Sequence, residues 1–315
     1  SCGSAPVCLV NDDFHENIKP ENAKGDEIKQ DIWYSTKKGK IWTPAKNIGR
    51  PLNNEEFNAA TCISADGKTL YVLNEYGKDG RMNVGLSKSR KTMNGWSFPE
   101  KIIIEDFQAL KHTDATGKST DVAYVEFSIS PDEKIVVMGL KRSQTYGSRD
   151  IYVSFRKSDG TYSKPRSLGP VINTADIEGA PFLASDTKTL YFSSNGHLGY
   201  GNGDIFVSKR LDDTWQNWSE PLNIGYPINT PEWNTFINVP ASGDYALVST
   251  RINKNGAYGI YSVNVPPELR PEPMAVITGR PLNLVSKQII PAEKKEKSNP
   301  KEIKFHKIGC SPIKQ

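Results

Sequence analysis

The 315-residue chain is 37% hydrophobic and 24% charged, with a net charge of +4 and both signs interspersed. That balance suits a soluble folded chain and argues against a dedicated nucleic-acid binder. No apolar run approaches the roughly 20 residues that a membrane-crossing helix needs.

The chain opens "SCGSAPVCLV" without Met, so it reads as processed or as a piece of a longer protein. Two readings of Cys2 stand side by side: the end of a lipoprotein-type cleavage site, or a disulfide to Cys310 that staples the termini. Cys8 and Cys62 fall in expected strands and read as buried thiols. The four cysteines form no CxxC pair, and His15, His112 and His306 share no ligand spacing, so no metal and no cofactor is expected.

Further along, strand-like segments recur in a constant order. "DIWYSTKK" (Asp31–Lys38) precedes "WTPAKNIGRPLNNEEFN" (Trp42–Asn58), then "KTLYVLNEY" (Lys68–Tyr76) and "MNVGLSKSR" (Met82–Arg90). "EDFQALKHTDATGKST" (Glu105–Thr120) is polar and irregular and reads as an inserted surface loop. "EKIVVMGLKR" (Glu133–Arg142), "DIYVSFRK" (Asp150–Lys157) and "YSKPRSLGPVINTADIE" (Tyr162–Glu178) repeat the order. "KTLYFSSNG" (Lys188–Gly196), "DIFVSKRL" (Asp204–Leu211) and "WSEPLNIGYPINTPEWN" (Trp218–Asn234) repeat it again, and "DYALVSTRI" (Asp244–Ile252) and "GIYSVNV" (Gly259–Val265) close the series. These runs are rich in β-branched and aromatic residues, alternate with period two, and are bounded by Gly, Asn, Asp and Pro. Asp150, Asp204 and Gly259 mark a period of about 55 residues, slightly beyond the usual range for propeller repeats.

Four short strands per period predict an all-β, five-bladed β-propeller of four-stranded antiparallel blades over residues 1–265, with an irregular extension over 266–315. The blades are Ala5–Arg50, Pro51–Ile104, Val122–Val171, Ile172–Tyr226 and Pro227–Val265, the first without its innermost strand. Trp42, Trp96, Tyr162 and Trp218 are expected to begin the outermost strands and to pack between blades. "PxNxGxxINT" is then the crossing to the next innermost strand, with Gly and Asn setting its turns.

Aligned on the innermost strands, Glu56, Asp176 and Glu232 fall at one position, and Asn58, Tyr124, Glu178 and Asn234 two residues on, where strand residues share a face. They predict an acidic, amide-rich channel mouth for a cation, sugar or basic peptide; the same side chains would also serve to cap turns. A glycosidase-type propeller would draw its carboxylates from Glu56, Glu126, Asp176, Glu178 and Glu232. No GxSxG nucleophile motif is present, and the binding reading is preferred to an enzyme. Asp31, Asp150 and Asp204 repeat with the blades and are assigned to structure. "SNGHLGYGNGD" (Ser194–Asp204) joins two strands instead of opening a helix, so it is not a phosphate loop, and His197 within it is expected to be exposed.

"SADGKTLYVLNEYG", "SPDEKIVVMGLKR" and "ASDTKTLYFSSNGHLGYGNGDIFVSKR" resemble the PD40 repeat, the WD40-like repeat also found in TolB. The "GxGDIxxS…W…PxNLGxxINT" form is similar to envelope propellers of Bacteroidetes, of the OmpA-family and type IX secretion PorE-like kinds. The resemblance covers about Ala5–Val265; blade two departs with "MNVGLSKSR" and blade five with "GIYS". "AVITGRPLNLVSKQIIPA" (Ala275–Ala292) looks like the opening of a regulatory-like β-sandwich, but "IKFHKIGCSPIKQ" does not continue it; a tail that closes the ring fits equally. The resemblance implies a scaffold propeller of a Gram-negative cell-envelope complex, periplasmic or outer-membrane-associated, with a lipid anchor as one alternative. Its implied partners are envelope proteins, and peptidoglycan through a domain absent here.

Overall fold

The computed structural model describes residues 30–38, 41–111, 123–250 and 259–274. The described part is all-β, with short antiparallel strands and a single 3-10 turn (Pro267–Leu269). Ahead of the first large sheet, β1 (Trp33–Tyr34) pairs with β4 (Lys46–Asn47), and β2 (Lys37–Lys38) with β3 (Ile41–Trp42).

Four blade sheets follow in chain order, each innermost strand first. In the first, β5 (Ala60–Ile63), β6 (Thr69–Tyr76) and β7 (Met82–Thr92) are followed by β8 (Gly95–Trp96) and β9 (Glu100–Lys101), both paired to β7. The second is β10 (Val125–Ile129), β11 (Ile135–Leu140), β12 (Asp150–Phe155) and β13 (Arg166–Ser167). The third is β14 (Glu178–Leu183), β15 (Thr189–Ser194), β16 (Asp204–Lys209) and β17 (Leu222–Asn223). The fourth has three strands, β18 (Thr235–Asn238), β19 (Tyr245–Thr250) and β20 (Gly259–Asn264).

The expectation of five four-stranded blades is therefore corrected to four blades. The segment before Arg50 forms only the two short ladders among the described residues. Among the described residues the last sheet has three strands; Pro266, Pro267, Pro271 and Pro273 follow β20, and proline cannot donate to a ladder. Cys2, Cys8 and Cys310 lie outside the described residues, as does the extension from Ala275 onward.

The core is divided among the spaces between sheets. Alternation along each second strand sends successive side chains to opposite neighbours. Leu70 and Val72 join Ile32 and Leu52, while Tyr71 between them joins Val125, Phe127 and Met138. Leu190 and Phe192 pack with Val137, Ile151 and Trp218, while Tyr191 packs with Ile237 and Val248. Both faces of these strands are buried, which is why they read as near-continuous apolar runs.

A buried asparagine clasps three of the crossings. Asn173 Oδ1 accepts the Ile151 N–H (2.7 Å), and its Nδ2 donates to Ile151 O and to Ser167 Oγ (both 3.0 Å). Asn53 holds Ile32 and Asn47, and Asn229 holds Ile205 and Asn223, with the same atoms. The asparagine of "INT" therefore ties the third and outermost strands of one blade to the start of the next, beyond setting a turn.

Tyr162 and Trp218 are buried between blades as expected, but they close the hairpin after the third strand, pairing with Arg156 and Arg210. The outermost strands begin later, at Arg166 and Leu222. Part of the segment read as a surface loop is also packed: Phe107 lies 6.1 Å from Phe127, and Asp106 pairs with Arg142 at 3.1 Å and Lys164 at 2.9 Å.

Candidate functional site

Three of the four innermost strands, β5, β14 and β18, are preceded by a capped turn of one design. The N–H of Glu56 is accepted by Asn54 Oδ1 (2.9 Å), that of Asp176 by Thr174 Oγ1 (3.1 Å), and that of Glu232 by Thr230 Oγ1 (3.4 Å). Two residues on, Asn58, Glu178 and Asn234 turn inward and are buried. Glu178 accepts from Thr174 N (2.8 Å), Thr174 Oγ1 (2.7 Å) and Ser194 Oγ (2.7 Å). Asn234 Oδ1 accepts from Thr230 N (2.8 Å), and Asn58 Nδ2 donates to Glu56 O (2.7 Å). Burial raises the Glu178 carboxyl above the usual carboxylate range, opposed by the hydrogen bonds from Ser194 and Thr174.

The structure thus separates the sequence-derived candidates into two sets. Asn58, Glu178 and Asn234 cap their own turns. Glu56, Asp176, Glu232 and Tyr124 are exposed, and the three carboxylates have no ion-pair partner among the described residues. Glu126, on β10, is held by Arg149 Nη1 at 3.0 Å; its Oε2 and Arg149 Nε are buried without hydrogen-bond partners. Burial raises the Glu126 carboxyl, and the Arg149 guanidinium opposes that shift. No two of Glu56, Glu126, Asp176, Glu178 and Glu232 share a hydrogen bond or a cation among the described residues. No group of three His, Cys, Asp or Glu able to hold a metal occurs there either.

The turns lie against the loops between second and third strands of the preceding blade. Glu178 N donates to Arg149 O and Asn234 N to Gly203 O (both 2.8 Å), and Ser148 N to Asp176 O (2.7 Å). In "GYGNGD" the glycines permit this approach. A Cβ on Gly203 would stand 2.3 Å from the Trp233 ring, and one on Gly201 2.5 Å from Thr230 O. Asp150 and Asp204 accept N–H groups from these same loops, at Tyr146 and Tyr200, and so stay structural. His197 is not exposed as anticipated; it is half-buried, with Nε2 3.0 Å from Ile172 O and its ring 5.2 Å from Phe206.

Turns and loops together form one end of the blades, and this end carries a set of exposed apolar side chains of which the sequence alignment selected Tyr124 alone. Phe57, Tyr124 and Trp233 stand on or beside the turns. Tyr146, Leu198 (98% exposed) and Tyr200 (64% exposed) stand on the loops. The signal was present as large apolar residues inside Gly- and Asn-rich loops, and as rings directly following Glu56 and Glu232. The opposite end carries hairpins whose charges pair locally, as in Lys68–Asp66, Lys134–Asp132 and Arg210–Asp213.

No family model matches the chain, and no curated protein matches it. Among solved structures it is similar to TolB from Acinetobacter baumannii, at 14% identity and a TM-score of 0.34, covering 73% of this chain and 51% of that one. It is also similar to an alpha-L-arabinofuranosidase from Lactobacillus brevis (13% identity, TM-score 0.41, 69% and 77% covered). A third is the periplasmic gluconolactonase of Pseudomonas aeruginosa (15% identity, TM-score 0.34, 71% and 61% covered). The chain spans about half the length of the TolB chain. At these values no residue role carries over.

Proposed function

We propose that this propeller is a non-enzymatic binding module that takes a protein partner on the end bearing the capped turns. The observation that carries this reading is the contrast between the two ends. One displays Phe57, Tyr124, Tyr146, Leu198, Tyr200 and Trp233 beside unpaired carboxylates; the other is covered by locally neutralised hairpins, with Met93 and Leu211 as exposed apolar side chains on them. Clustered exposed apolar side chains mark interaction surfaces, and Tyr and Trp anchor them most strongly. Glu56, Asp176 and Glu232, exposed on the turns of this end, add negative charge to it, which favours a partner with a basic rim.

The setting we propose is a bacterial cell-envelope complex in the periplasm, of the type IX secretion or OmpA-like peptidoglycan-associated kind. It rests on the PD40 resemblance, and no helix of the described residues is long and apolar enough to cross a membrane. The test is affinity capture of envelope proteins by the wild-type chain, by a Tyr200→Ser/Trp233→Ser variant, and by a Met93→Ser/Leu211→Ser control on the opposite end. Partners retained by the control and lost by the first variant support the reading. Capture equal in all three overturns it.

A further inference from the structure

In the second and third blades, the hairpin after the third strand ties the blade to the one before it. The hairpin after β12 reaches back to the first blade: Tyr162 N donates to Ile103 O (2.8 Å), and Glu105 N to Tyr162 O (2.9 Å). The hairpin after β16 reaches back to the second, where Gln216 Nε2 donates to Ser167 O on β13. After β20 the described chain builds no such hairpin, and Pro266–Met274 runs back to the third blade instead. Leu269 O accepts from Tyr191 Oη on β15 (2.6 Å), and Glu272 N donates to Asp186 Oδ2 in the turn between β14 and β15 (2.9 Å). Met274 N donates to Ala241 O, between β18 and β19 (3.1 Å). Leu269 is buried in one cluster with Tyr191 and Val248. Pro271 is buried against Gly243, where a Cβ would stand 3.3 Å from the proline ring.

What holds this segment differs in kind from what holds a strand. β20 pairs with β19 along all six of its residues. Among the described residues, Pro266–Met274 meets the blades through the backbone of Leu269, Glu272 and Met274 and through two buried side chains, Leu269 and Pro271. Its ion pair, Lys188 Nζ to Glu272 (3.4 Å), is exposed on both partners and so adds little. Pro266, Pro267, Pro271 and Pro273 keep a released segment extended, so reseating it orders little backbone. We propose that Pro266–Met274 is a detachable strap, which leaves and reseats as a unit while the blade sheets stay folded. Seated, it seals the hairpin end of the space between the third and fourth blades, and it holds residue 274 at Ala241, on the end opposite the docking surface proposed above. Released, it uncovers Tyr191 and Asp186 and frees residue 274 from the fourth blade.

Native-state hydrogen exchange of the full chain tests this, with the amides of Glu272 and Met274 as probes, since both donate to the blades. They should exchange together and faster than the amides of β19. Their opening should respond little to low urea, because it exposes little surface. Tyr191→Phe removes the bond to Leu269 O and should speed both probes about tenfold, the size of one such bond. Lys188→Gln, a change on an exposed side chain that leaves the core intact, should speed them about twofold. Probes that exchange only together with β19 would show the segment to be an integral part of the sheet fold. Probes as fast as an unstructured peptide would show that it does not seat. Either result overturns the proposal, and so do rates that Tyr191→Phe leaves unchanged.

Discussion

Replacing Asn173 by Ala tests the account of how successive blades are tied together. The side chain is 1% exposed and makes three hydrogen bonds, two of them to the backbone of Ile151, which is itself fully buried. Ile151 O keeps a second donor, Leu168 N at 3.1 Å, so its loss is partial. Ile151 N–H has no other acceptor among the described residues and would be left unpaired in a dry interior, at a cost of about 1–3 kcal/mol. Adding the weaker losses at Ile151 O and Ser167 Oγ gives a destabilisation of roughly 2–4 kcal/mol. For a domain of this size that lowers Tm by roughly 4–16 °C. Urea and thermal unfolding followed by tryptophan fluorescence would measure it, with Asn94→Ala, at an exposed hairpin position, as the reference. A loss below about 1 kcal/mol, or one equal to that of Asn94→Ala, would refute the clasp as a structural tie.

The Glu178 carboxyl has a folded-state pKa raised by burial, so its protonated form favours the folded chain and stability falls as pH rises from the unfolded value through the folded one. Glu178→Gln, which resembles the amides already used at Asn58 and Asn234, should flatten that part of the stability–pH curve; an unchanged slope in pH-dependent denaturation would contradict this. Burial pushes the Cys62 thiol up to about 12, so in the native chain at pH 8 a thiol reagent should label it slowly and react fast only after denaturation. Equal rates in both states would show that the thiol is not shielded. Gly203→Ala would drive a Cβ into the Trp233 ring and should shift that indole, with a change in its fluorescence and a loss of about 1–3 kcal/mol measured by chemical denaturation.

Much of the architecture could be read from the chain because the repeat is written in physical chemistry. Doubly buried second strands must be apolar throughout, so "KTLYV", "KIVVM" and "KTLYF" identify themselves. The serine of "DIYVS" and "DIFVS" recurs because its hydroxyl ties the hairpin that follows, as Ser208 Oγ does on Ser219 O at 2.6 Å. The aromatic ring and the "INT" asparagine recur because each blade must be sealed to the next. The blade count was less legible: among the described residues the segment before Arg50 carries the right words but forms only two short ladders, and prolines follow β20 where a fourth strand was expected.

The candidate site divides along the same line. A repeated turn fixes which residues sit at its second and fourth positions, so the alignment of Glu56, Asp176 and Glu232, and of Asn58, Glu178 and Asn234, follows from the chain alone. Which of them faces water does not, because a carboxylate or amide at either position satisfies the same local pattern. Burial and the hydrogen bonds of Ser194 to Glu178 and of Tyr76 to Asn58 decide that, and they arise from neighbouring strands. The exposed side chains of Tyr146, Leu198, Tyr200 and Trp233 come to one end only when loops of one blade dock on turns of the next. Periodicity and turn chemistry are local properties and are legible in one dimension; exposure and shared surface depend on contacts between residues far apart in sequence, so only the tertiary structure determines them.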